Sequence, residues 1–125
     1  MIRLKRVYEA PSPEDGCRIL VDRLWPRGIS KDRAGISLWI PEIGPSKELR
    51  RWFGHDPSRW EEFCLRYWAE LEVKRELVGQ IMEKVTRVPV TFVYAARDST
   101  HNNAVALKMH IERMLQNGST ESNAG

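Results

Sequence analysis

Two short segments, CRILVDRLWPRG and VPVTFVYAARDSTHNNA, constrain this chain most, because each passes from a buried-strand pattern straight into arginine and aspartate. Ile19, Leu20 and Val21, and later residues 90–95, run apolar with little polar alternation, as strands covered on both faces of a sheet do. Charged residues follow at once. Asp22, Arg23 and Arg27 end the first run, and Arg97 and Asp98 end the second. Open α/β sheets bind ligands beyond the carboxyl ends of their strands, so two such ends predict one shared site.

The intervening sequence supplies helices. IRLKRVY alternates apolar and basic residues and reads as a half-exposed strand near a sheet edge, with Ile2 and Leu4 on one face and Arg3 and Lys5 on the other. Gly28 follows Trp25-Pro26-Arg27, where it permits positive φ or a close backbone approach. Residues 29–45 are irregular and read as one long connection, a candidate rim or lid over the site. Ser46 opens a short helix ended by Gly54, and Asp56-Pro57 starts another. Trp60, Phe63, Cys64, Tyr67, Trp68 and Leu71 then form one apolar stripe, and the periodicity resumes at Leu77, Val78, Ile81, Met82 and Val85, with the helix either continuing or re-set near 73–76. Asp98 or Ser99 caps a last helix with Ala104, Leu107, Ile111, Met114 and Leu115 on its inner face, ending at Gln116-Asn117-Gly118. Strands separated by long helices imply a mainly parallel sheet. The predicted fold is α/β, a small three-layer sandwich of three to five strands flanked by helices, with one domain over 1–117 and a disordered polar tail over 118–125.

At 125 residues the chain suits one domain, and 42% hydrophobic with 30% charged residues is a globular composition. No apolar run approaches the roughly 20 residues of a membrane span, and the first residues lack a signal peptide's apolar stretch. A cytoplasmic location and no membrane partner are therefore expected. Cys17 and Cys64 belong to no CxxC pair, which disfavours metal fingers and disulfide scaffolds. The net charge of +3 is mild, but 14 Arg stand against 6 Lys, and arginine suits bidentate contact with phosphate or carboxylate.

Candidate site residues gather at three places. Arg23 and Arg27 after the first apolar strand, Arg97 and Asn102 after the last, and Ser46 with Arg50 at a helix start are suited to binding an anion. His55 on a short loop, and Asp98 three residues before His101, are suited to acid/base work, with Asp98 orienting the imidazole. Asp22 is expected to be a buried partner that neutralises an arginine. Trp25 and Trp39 are candidates for an aromatic rim. Asp22, His55, Asp98 and His101 could ligate Zn or Mn, but no spacing resembles HExxH or a finger, so no metal is expected. The absence of GxSxG, GxxxxGK[ST] and GxGxxG disfavours a serine hydrolase, ATP hydrolysis and dinucleotide chemistry, and no cofactor is expected.

The segments RILVDRLWPRGISK, GPSKELRRWFGHDPSRWEEFCLRYWAEL and VTFVYAARDSTHNNA together resemble the domain-of-unknown-function 488 family, the YeaO-like proteins. The resemblance covers about residues 2–116; IPEIGPS stands where the family more often carries a KDLAPS-like stretch. It implies a compact α/β protein of the prokaryotic cytoplasm, with no agreed activity. Its signature residues correspond to Arg23, Trp25, Arg27, Ser46, Arg50, His55, Arg97, Asp98, His101 and Asn102. The residues favour a basic pocket that binds or acts on a phosphate-bearing, nucleotide-like small molecule. The alternatives are a nucleic-acid-binding module using Arg and exposed Trp, and a regulatory or interaction protein, including a homo-oligomer.

Overall fold

The computed structural model describes residues 2–124, with side chains as far as Gly118, so the tail expected at 118–125 lies almost wholly outside the described side chains. Strands β1 (Ile2–Arg6), β2 (Cys17–Leu20), β3 (Leu38–Trp39) and β4 (Val90–Tyr94) form a single parallel sheet in the order β1-β4-β2-β3. With them stand five helices, α1 (Lys31–Ala34), α2 (Lys47–Phe53), α3 (Trp60–Glu72), α4 (Arg75–Arg87) and α5 (Asn103–Ala124). The fold is the predicted small α/β sandwich.

The central strand β4 is buried along its whole length, and pairs Ile2 to Arg6 of β1 and Cys17 to Leu20 of β2 against it. Its side chains divide by the period of two. Val90, Phe92 and Tyr94 join Ile19 and Val21 on one face, packed with Phe63, Tyr67, Ile81, Leu107 and Ile111 from the long helices. Val93 joins Leu20 on the other, in a smaller cluster with Val7, Ala34 and the partly buried Trp25 and Ile29. The two outer layers are thus unequal. On the thin side burial is shared with an ionic network: Arg18 donates to Asp15 (2.8 Å) and to the Ala34 carbonyl (2.8 Å), and Lys5 donates to Asp15 (3.0 Å). Every charge in that network is paired, as burial requires.

Several boundaries differ from the sequence reading, each for a local reason. Residues 29–45 are a chain of short elements: Ser30 accepts the Arg33 N–H to start α1, Gly35 in the left-handed region (φ 58°) stops it, and β3 and a 3-10 turn at Pro41–Ile43 follow. Asp56 caps a 3-10 turn at Pro57–Arg59 that leads into α3; α3 and α4 are separate helices, broken at 73–74 as the re-set alternative has it. The cap of α5 is Asn102, whose Oδ1 accepts the Val105 N–H (3.0 Å), in place of Asp98 or Ser99. α5 also passes through Asn117 and Gly118, since Gly118 does not take the left-handed φ with which glycine ends a helix. Among the described residues no helix is long and apolar enough to cross a membrane.

Candidate functional site

Because all four strands run parallel, their carboxyl ends share one edge of the sheet, and there a cleft of about 1270 Å³ opens. Arg6 and Tyr8 enter it from the end of β1, Asp22 to Arg27 from the end of β2, and Ala95 to Asp98 with His101 to Asn103 from the end of β4. The region of α2 adds a fourth wall with Lys47, Arg50, Arg51 and His55. Strand alternation would send Asp22 and Arg23 to opposite faces, but β2 has ended at Leu20 and both line the cleft.

The walls are pinned by backbone carbonyls. Arg23 donates from Nε to the Pro45 carbonyl (3.0 Å) and from Nη2 to that of Gly44 (2.9 Å). A Cβ on residue 44 would lie 2.9 Å from the Arg23 backbone nitrogen, so a glycine there lets the two segments meet. Gly28 takes φ 74° with open space around it, so of its two expected uses it serves the turn. Tyr8 donates its hydroxyl to the Arg27 carbonyl (2.7 Å), and Trp25 its indole N–H to that of Ile29 (2.9 Å).

Seven cationic side chains line the cleft, Arg6, Arg23, Arg27, Lys47, Arg50, Arg51 and Arg97, against two carboxylates, Asp22 and Asp98. Arg6 is occupied by the Ala95 and Ala96 carbonyls, as Arg23 is by the loop. Among the described residues the side chains of Arg27, Lys47, Arg51 and Arg97 have no hydrogen-bond or ion-pair partner in the protein, and the Nε of Arg50 is buried with none. Unpaired donors facing one space are what an oxyanion needs.

Asp22 corrects an expectation. It neutralises no arginine through an ion pair among the described residues; its Oδ2 accepts the Ala95 N–H (3.0 Å) and its Oδ1 the Asn103 amide (3.1 Å). Burial pushes its carboxyl up from the ordinary value, partly offset by these two bonds and by the charge of Arg50.

Asp98 and His101 do meet. The His101 Nδ1 lies 2.9 Å from Asp98 Oδ2, while Oδ1 accepts from the Thr100 and His101 amides and the Thr100 hydroxyl. The Thr100 N–H, followed by His101 and the Thr100 hydroxyl, holds the Asp98 carboxyl well below the usual range. An ionised carboxylate only accepts, so the proton sits on Nδ1 and Nε2 is left free. The ring also meets Trp60 edge-on at 5.3 Å. That imidazole could exchange a proton, yet no Ser, Thr or Cys is among the residues lining the cleft. Cys64 is buried, with its thiol pushed up to about 11 by that burial.

Two candidates stand elsewhere. Ser46 caps α2 through the Leu49 N–H (3.1 Å), but its own N–H and hydroxyl both donate to Glu70 (2.8 and 2.6 Å). A protein carboxylate therefore takes the place at that helix start where an external anion was expected. Trp39 packs edge-on against Trp25 at 5.5 Å and donates to the Asp22 carbonyl (2.9 Å), outside the cleft lining. His55, Arg97, Asn102 and Trp25 line the cleft. Arg6, Tyr8, Lys47, Arg51 and Asn103 also line it, though the sequence pattern does not single them out. Arg6 and Tyr8 follow from a parallel β1, and Asn103 belongs to the HNNA run already noted. Among the described residues no group of three or more His, Cys, Asp or Glu could hold a metal ion.

The profile of a family described as the Inactive DUF488-N3 subclade matches residues 1–124. The chain is 42% identical over 106 residues to the uncharacterized protein Rv3073c of Mycobacterium tuberculosis, spanning 85% of this chain and 89% of that one. It is 40% identical over 106 residues to the uncharacterized protein YeaO of Escherichia coli, spanning 85% and 92%. No solved structure matches. With a match over nearly its whole length and relatives this similar, the chain belongs to the YeaO-like DUF488 proteins, in the Inactive DUF488-N3 subclade.

Proposed function

We propose that the cleft binds a small molecule bearing a phosphate or a comparable oxyanion, as a binding site and not as a centre of turnover. The observation that carries this reading is the set of cationic side chains, Arg27, Lys47, Arg51 and Arg97, that face one cleft without protein partners, beside the buried unpaired Nε of Arg50. Four like charges in one place repel each other, and an anion relieves them. The lining holds no Ser, Thr or Cys, and its one hydroxyl, that of Tyr8, is spent on the Arg27 carbonyl; together with the word inactive in the family's description, this favours binding over catalysis. The gathering of these cations around one cleft, from two strand ends and from α2, favours a small ligand over a nucleic acid.

Calorimetric titration with inorganic phosphate, pyrophosphate and a single-stranded oligonucleotide tests this. Pyrophosphate is expected to bind, more weakly as salt rises, and a double variant Arg50→Ala/Arg97→Ala to lose at least tenfold in affinity. A ligand at 100 times its Kd would also stabilise the fold by about 2.7 kcal/mol. No heat and no thermal shift at millimolar pyrophosphate would overturn the proposal. Tighter binding of the oligonucleotide, unchanged by the double variant, would move the site elsewhere.

A further inference from the structure

The cleft holds one group that a simple anion site should not have. Asp22 lines it among seven cationic side chains, yet makes no ion pair within 4 Å among the described residues; only the charge of Arg50 acts on it from farther off. Each of its oxygens takes one protein donor, the Ala95 N–H on Oδ2 and the Asn103 amide on Oδ1. An ionised carboxylate offers about four acceptor positions, so about two are left over. For a bare phosphate this is a poor neighbour, because two like charges in close contact repel. For a hydroxyl donor it is a good one.

Asp22 is also held still. Its carbonyl accepts the Trp39 indole N–H (2.9 Å), and the Asn103 amide that holds its carboxylate is itself anchored on the Val21 carbonyl (3.0 Å). An acceptor fixed from both ends is pre-organised, which lowers the ordering cost of binding. The cleft volume, about 1270 Å³, is larger than a phosphate fills and exceeds the roughly 300–1,000 Å³ of usual small-molecule sites.

We propose that the ligand is a phosphorylated polyol, a sugar phosphate or a ribonucleotide, whose phosphate is held by the free arginines while its hydroxyls donate to the spare acceptor positions of Asp22. This rests on the anion-binding reading above and adds the second half of the ligand. It predicts discrimination among phosphate monoesters of equal charge.

The test is calorimetry with inorganic phosphate, methyl phosphate, ribose 5-phosphate and adenosine 5′-monophosphate on the full chain. Ribose 5-phosphate is expected to bind at least tenfold more tightly than methyl phosphate. Asp22→Asn is expected to abolish that preference and to bind methyl phosphate more tightly, because the repulsion is gone. Adenosine 5′-monophosphate binding more tightly still would identify a nucleotide as the source; equal binding would identify the sugar phosphate. Equal affinities for methyl phosphate and ribose 5-phosphate overturn the polyol proposal while leaving anion binding standing. No binding of any of the four overturns both. Should Asp22→Asn fail to fold, the wild-type comparison by itself decides.

Discussion

His55 has φ 56°, alone among the described non-glycine residues in taking a positive value, and it follows Gly54 at φ 53°. Two consecutive left-handed residues turn the chain sharply from α2 back toward α3, which brings the imidazole to the cleft. Left-handed backbone costs a residue with a Cβ about 1–2 kcal/mol, and a glycine almost nothing. His55→Gly is therefore expected to raise the unfolding free energy by about 1 kcal/mol in urea titration. A lower stability than wild type would mean that the contact of His55 with Phe53, at 6.5 Å between ring centres, outweighs the strain. The residue types of this site were legible in the sequence: arginines and a histidine–aspartate spacing name themselves. Their bonding was not. Nothing near Asp22 in the chain indicates that its Oδ1 is satisfied from Asn103, 81 residues away.

At the level of elements, α2 is the clearest case of local and distant control combined. Seven residues are too few for a helix to persist alone in water. Ser46 accepts the Leu49 N–H at the front, Gly54 in the left-handed region closes the back, and Glu70 from α3 bonds both donors of Ser46. Ser46→Ala is expected to cost about 1–2 kcal/mol. In a Glu70→Ala background the same change is expected to cost less, since the two side chains share one bond network, and a double-mutant cycle by denaturant unfolding measures the difference. Strict additivity would show that Ser46 acts as a cap alone. The cap was readable from the order Ser, Lys, Glu; the occupancy of the helix start by Glu70 was not, because it needs α2 and α3 to be antiparallel neighbours. The segment 29–45 shows the converse. Its short elements are too brief to carry periodicity, and β3 exists only because β2 offers an edge to pair with.

For the whole molecule, the two unequal layers place most titratable groups at the surface and leave a few inside. His110 is buried on α5, and burial lowers its pKa from 6.5, with Glu72 opposing and Arg113 assisting. The unfolded chain therefore binds a proton near pH 6.5 that the folded chain resists, so stability is complete above that pH and falls as the pH drops toward the folded value. Asp98, held low by the Thr100 N–H and His101, adds a contribution that is present above pH 3.8 and is lost as the pH falls through its folded value. Asp22 has the opposite sign: with its pKa raised by burial, it erodes stability as the pH rises from 3.8 through its folded value. His110→Gln is expected to flatten the loss of stability as the pH falls below about 6.5, read as urea midpoints on either side of that pH. An unchanged slope would place the effect on other groups. What the sequence by itself determined is the strands β1, β2 and β4, the helices outside residues 29–45, and the shared edge toward which the two charged strand ends run. Those follow from apolar period and from the rule that parallel strands share a carboxyl edge, both properties of neighbouring residues. Only the tertiary structure decided which polar groups are already satisfied and which face the cleft free. The partner of a buried donor or acceptor comes from whichever segment crosses beside it, so Ser46 is spent on Glu70 and Trp39 on Asp22, while Arg51 and Arg97 remain open.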